Sequence, residues 1–190
     1  MQKKLALVFW VVFGVVFVLT GFFIYSKKLS FSIQADIKKA DALLKKEEKI
    51  VFMAVGDVML DRGVKYMVDE YGNGDFNFVF ENIKAELLKA DILFGNLEGP
   101  ISNRGLRVGS IYSFRFLPTT TLALKNAGFD IVSIANNHML DYQAIALEDT
   151  MLNLEKSGID YVGAGHNESE AFGLKIKEIQ GAKIGFLGFI

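Results

Sequence analysis

Residues 5–25 form a run of 21 residues without a single charge, and no other feature of the chain limits its folding as much. A helix rises about 1.5 Å per residue, so the run would span roughly 30 Å, the hydrocarbon thickness of a bilayer. Phe9 and Trp10 lie near its start and Phe22, Phe23 and Tyr25 near its finish, where amphipathic rings favour the membrane interface. A cleaved secretory signal is the competing reading, but its apolar core is usually about 7–15 residues and ends at small side chains. Here the run is longer and closes with Gly-Phe-Phe-Ile-Tyr-Ser-Lys-Lys, offering no such cleavage site. The expectation is an uncleaved transmembrane anchor over residues 1–28. Lys3, Lys4 and the terminal amine oppose Lys27 and Lys28, so the positive-inside balance tips toward a cytoplasmic N-terminus by a small margin. On that reading the chain is a single-pass protein of the cell membrane, with residues from Ser30 onward facing the exterior.

All 22 acidic residues lie at Asp36 or later, and four of the 21 basic ones bracket the apolar run. Setting those four aside leaves 17 basic residues against 22 acidic ones, a net charge of −5 for the remainder. A nucleic-acid surface needs the opposite balance, so no nucleic-acid partner is expected. There is no cysteine, which excludes disulfides, thiolate metal sites and cysteine nucleophiles. Residues 29–48 are polar, with Lys38-Lys39 and Lys45-Lys46 interleaved with Ile37, Ala40, Leu43 and Leu44. That spacing predicts a short amphipathic helix, a stalk between bilayer and domain.

From residue 49 onward short apolar runs alternate with helical patterns. Strands are expected at 50–55, 91–95, 114–117, 129–135, 159–162, 175–179 and 183–190. Helices are expected at about 63–71, 78–89, 118–127 and 144–157, the last two stopped by Gly128 and Gly158. Strands alternating with helices imply an α/β fold. The last strand has no helix after it to cover its apolar residues, so the domain at 49–190 reads as truncated at its C-terminus.

In α/β sheets ligands bind beyond the carboxyl ends of the strands. Three strands here run into polar residues: Gly56-Asp57, Gly95-Asn96-Leu97-Glu98, and Ala135-Asn136-Asn137-His138 followed by Asp141. Taken singly each has a plain reading as a helix cap, a solvated acid or a backbone-bonded histidine. Together, two carboxylates, an amide and an imidazole suit a divalent cation such as Mn²⁺, Fe²⁺ or Zn²⁺. Arg104, Arg107 and Arg115 offer guanidinium groups to an anionic substrate, or are ordinary surface charge.

The ordered set Gly56-Asp57-Val58-Met59-Leu60, Gly95-Asn96-Leu97-Glu98 and Ala135-Asn136-Asn137-His138-Met139-Leu140-Asp141-Tyr142 resembles the capsule-synthesis CapA family of poly-γ-glutamate production. Asp149-Thr150 with Leu154, and Gly163-Ala164-Gly165 with Glu170-Ala171, continue it. The resemblance implies a metallophosphatase-like (calcineurin-like) sandwich of two β-sheets flanked by helices, with a dinuclear metal site. It implies Asp57, Glu98 and Asn137 as metal ligands and His138 as a proton donor facing substrate, with Asp141 placed to orient it. Two ions would activate water and stabilise the developing oxyanion. Three positions depart from the expected pattern. Met59 stands where the phosphatases carry histidine, Asn136 replaces the glycine before Asn137, and Gln143 stands where the capsule family usually has glycine.

Two functions follow from the resemblance. One is a metal-dependent hydrolase acting outside the membrane on an anionic polymer or a phosphoester, the latter unrelated to capsule. The other is a non-catalytic accessory to the making or export of a capsule polymer, held beside a membrane-bound polymer synthase complex by its anchor.

Overall fold

The computed structural model of the chain describes residues 19–39 and 49–190. Two compact units emerge, Met1–Glu48 and Lys49–Ile190. In the first, residues 19–39 form a continuous helix, α1, that runs through Lys27 and Lys28. Its Ser26 and Ser30 hydroxyls each donate 2.9 Å back to the carbonyl three residues earlier, a local bond compatible with helix. The anchor expected at 1–28 lies outside the described residues as far as residue 18, and the stalk at 29–48 does so from residue 40. Among the described residues no helix is long and apolar enough to cross a membrane.

The second unit is built on a four-stranded parallel sheet in the order β1-β2-β3-β4, made by Phe52–Val58, Ile92–Leu97, Ile131–Ser133 and Asp160–Val162. Parallel neighbours need crossover connections, and helices supply them: α2 (Arg62–Tyr71) and α3 (Lys84–Leu87), α4 (Thr120–Ala127), and α5 (Gln143–Lys156). Short α6 (Glu168–Ala171) follows β4, and an antiparallel hairpin, β5 (Lys175–Ile179) with β6 (Ala182–Phe186), ends the chain.

Period-two alternation divides the sheet residues between two layers. Leu93, Leu97 and Val132 face one way and join Val68, Phe80, Leu124, Phe129 and Leu154 in the main core. Ile92 and Ile131 face the other way with Val162 and pack against Phe186 of the hairpin. Phe186 stacks on Phe94 at 5.7 Å and lies 6.0 Å from Phe52. Lys177 and Lys175 of β5 bind the two Asp160 carboxylate oxygens of β4 at 2.6 and 3.3 Å. Mixed α/β architecture with a parallel sheet is therefore present.

Several elements differ from expectation. The helix expected at 78–89 is divided into a 3₁₀ turn, Phe76–Phe80, and the single turn of α3. Phe76, Phe80 and Leu87 are all buried, and placing all three in the core takes precedence over one straight helix. The strand expected at 114–117 is a single bridge, Ile101 to Phe116. The strand expected at 183–190 pairs only as far as Phe186, and Leu187, Phe189 and Ile190 are exposed. Gly128 ends α4 with φ 97°, the left-handed cap that glycine adopts at least cost.

Candidate functional site at the strand ends

The first site residue depends on a slip in register. Phe52, Met53 and Ala54 pair with Ile92, Leu93 and Phe94, but Asp57 pairs with Asn96, so β1 carries one extra residue between Ala54 and Asp57. Because strand side chains alternate faces, one extra residue moves every later side chain to the opposite face. The bulge therefore puts Asp57 on the same face as Asn96, and Asn96 Nδ2 donates to Asp57 Oδ1 at 2.8 Å. The same nitrogen donates to Glu98 Oε2 at 2.8 Å. One amide thus joins the two carboxylates.

The loop after β3 closes the other side. Asn136 Nδ2 donates to the Leu97 carbonyl at 2.7 Å and lies 3.4 Å from Asn96 Oδ1, while Asn136 Oδ1 accepts from the His138 backbone at 2.9 Å. These bonds hold the imidazole with Nε2 3.8 Å from Glu98 Oε1. On its other edge His138 Nδ1 lies 2.8 Å from Asp141 Oδ2. That oxygen also accepts from the Phe114 backbone at 2.8 Å, and the Phe114 ring packs on the imidazole with centroids 4.2 Å apart. A carboxylate on Nδ1 favours the tautomer with the proton there and leaves Nε2 directed at Glu98.

Burial lifts the Glu98 carboxyl above its ordinary range, and the negative charge of Asp57 lifts it further. His138 and the Asn96 bond oppose the rise, and Asp141 adds to it. The centre is thus short of positive charge. Its oxygen donors are of the kind hard divalent cations prefer, so the chemistry of Asp57 and Glu98 fits such an ion. Among the described residues, however, no three His, Asp or Glu side chains are gathered in a ready ligand set.

Of the residues singled out from the sequence, Asp57, Glu98, His138 and Asp141 come together. Asn137 does not join their hydrogen-bond network; its side chain is exposed and bonds to none of the described residues. The amides that knit the centre are Asn96 and Asn136. Both lie inside the motifs read from sequence, and for Asn96 the signal was its place two residues before Glu98 on the same strand face. Met59 packs against the main core and lines an apolar cavity of about 200 Å³ that reaches Asp57, bounded also by Val55, Val79 and Phe80.

The three arginines have separate fates. Arg104 is committed to Asp149 through Nη2 and Nε, and Ser102 Oγ also binds that carboxylate. Arg104's bond holds the Asp149 carboxyl below its usual range. Arg115 donates to the carbonyls of Arg104 and Gly105 at 3.3 and 3.4 Å and lies over the Tyr142 ring at 4.1 Å. Arg107 is exposed in the loop beside Gly109, Ser110 and Ile111.

The profile of a family described as bacterial capsule synthesis protein PGA_cap matches residues 51–190. The capsule biosynthesis protein CapA of Bacillus anthracis is 32% identical over 149 residues, which cover 76% of this chain and 36% of that protein. The PGA biosynthesis protein CapA of Bacillus subtilis (strain 168) is 27% identical over 138 residues, covering 71% and 36%. An uncharacterised protein, y4uA, of Sinorhizobium fredii (strain NBRC 101917 / NGR234) is 31% identical over 145 residues, covering 71% and 29%. The matched part thus makes up about a third of each of these relatives.

Proposed function

The chain belongs to the bacterial capsule synthesis protein family PGA_cap, and from that premise we propose that it serves the making or export of a capsule polymer, poly-γ-glutamate or a similar polyanion. In this reading residues 49–190 are a metallophosphatase-like domain, tethered outside the cell by an anchor in residues 1–28 beside a membrane-bound synthase complex. Its site is the Asp57, Glu98, His138 and Asp141 cluster, acting as a metal-dependent hydrolase on the anionic polymer.

One observation carries the reading: a single amide, Asn96, bonds both Asp57 and Glu98 while the Asp141-bound His138 faces Glu98. Asp57 and Glu98 would hold a divalent cation, with Asn137 from the adjoining loop as the further ligand that the family resemblance implies. The ion would supply a polarised substrate oxygen and a water more acidic than bulk. The chain's own residues do the rest. Asp141 fixes the imidazole's tautomer and direction, and Phe114 limits its rotation. With Nδ1 protonated against Asp141, His138 Nε2 can take up a proton and, once it carries one, deliver it to a leaving group. Asn96 and Asn136 keep both loops in register around it.

Metal analysis of the purified full chain should find about two equivalents of a divalent ion. His138→Ala should lower hydrolysis of a γ-glutamyl or phosphoester substrate about a hundredfold or more, and Asp57→Asn should lower metal content as well. A metal-free protein, with polymer production unaffected by either change, would defeat the hydrolase reading. The packing of Met59 into apolar surroundings favours a second reading, a non-catalytic accessory, which that outcome would leave standing. A phosphoesterase unrelated to capsule would be indicated if only phosphoesters were cleaved.

A further inference from the structure

Arg62 stands apart from the other arginines of the domain. It is exposed, and its backbone takes φ 54°, the left-handed region that costs an L side chain energy and that marks functional positions more often than chance. Its guanidinium lies over two rings, 5.5 Å from the centroid of Tyr112 and 5.3 Å from that of Phe114. Phe114 is the ring that packs on His138, so one phenyl group separates this cation from the imidazole.

No carboxylate among the described residues pairs with the Arg62 side chain; its polar contact is the Ile111 carbonyl at 3.4 Å. Asp61 next to it is already engaged, accepting from the backbone nitrogens of Arg62 at 2.7 Å and Arg115 at 3.0 Å. Ring stacking restrains a guanidinium without using its N–H donors, which leaves the fork oriented and the donors not turned to Ile111 available to an oxyanion. The need for such a group is electrostatic. Asp57 and Asp141 present negative charge to anything entering the site, and a cation at the rim would add to a bound metal ion's pull on an anionic substrate.

We propose that Arg62, held over Tyr112 and Phe114, receives the carboxylate or phosphate group of the molecule handled at the His138 centre. This rests on the reading of that centre given above. The full chain, in detergent micelles, is titrated calorimetrically with a γ-linked glutamate pentamer and, separately, with inorganic phosphate. Wild type should bind at least one of them, and which one binds distinguishes the two sources of negative charge. Arg62→Gln should weaken that binding about tenfold or more. Arg62→Gly should weaken it equally while leaving the melting temperature unchanged or raised, since glycine accepts the backbone angle without strain; a merely structural arginine would not behave so. Lys65→Gln on the same helix, where Lys65 is paired with Asp69, removes equal charge and should leave binding within about twofold. Wild type binding neither probe, or both Arg62 variants binding as wild type does, overturns the proposal. Full polymer production by His138→Ala with binding still lost at Arg62 would instead defeat the catalytic reading alone.

Discussion

Glu98 shows how much of the site is decided by the neighbours of a single side chain. As a residue before Gly99-Pro100 it reads equally as a loop acid or a ligand; burial and the adjacent Asp57 make it an acid that resists ionisation. A carboxyl held above its unfolded range binds its proton more tightly in the folded state, so folding gains at low pH and loses as pH rises from about 4.5 through the folded titration. In the chain stripped of metal by a chelator, Glu98→Gln should therefore raise the melting temperature at pH 7 relative to wild type, and the advantage should shrink by pH 4. Thermal unfolding followed at both pH values checks this, and an equal difference at both would be the contrary result. A bound divalent cation would reverse the preference by favouring the ionised form. Gln143 carries a similar lesson. It adopts φ 69° where relatives were expected to use glycine, and its Oε1 accepts from the Leu106 nitrogen at 3.1 Å, a bond glycine lacks.

At the scale of elements, the junction of sheet and hairpin is the most exposed to test. Asp160 on β4 is opposed by burial, yet Lys177 and Lys175 outweigh that and hold its carboxyl below the ordinary range. Such a group adds stability above its unfolded titration near 3.8 and loses it as pH falls through the lower folded value. Asp160→Asn should cost about 1 kcal/mol at pH 7 and nothing at very low pH. Amide exchange in β5 and β6 should quicken in the variant while β2 stays protected; uniform change across the sheet would count against a local role. Most strands and helices of 49–190 were legible because apolar runs and glycine stops recur there; the strand expected at 114–117 was not borne out, since only Phe116 bridges to Ile101. The break at residues 81–83 was not legible, since it depends on where Phe76, Phe80 and Leu87 find the core.

For the whole molecule, the proposed anchor in residues 1–28 and the outward placement of the domain are open to a direct test. Protease added to intact spheroplasts should digest residues 49–190 if the proposed orientation holds, and a cytoplasmic marker should survive in the same sample. Full protection of the domain would place it inside instead. The measurement is independent of the proposed metal site, since orientation would follow the lysines around residues 5–25 and the site would follow the strand ends.

The sequence alone was enough for the four parallel strands and the main helices between them, though not for the bridge at Phe116 or the split of 78–89, and for the polar residues placed after three strands, because hydrophobic periodicity and turn residues act over a few positions. It was enough too for the family, since the three motifs keep their order. The tertiary structure decided which amides join the cluster. A one-residue bulge turns Asp57 onto the Asn96 face, and Asn136 rather than Asn137 bonds across to β2. It also decided which arginines are free, because ion pairs such as Arg104–Asp149 form between residues 45 apart in the chain, a pairing no local pattern encodes.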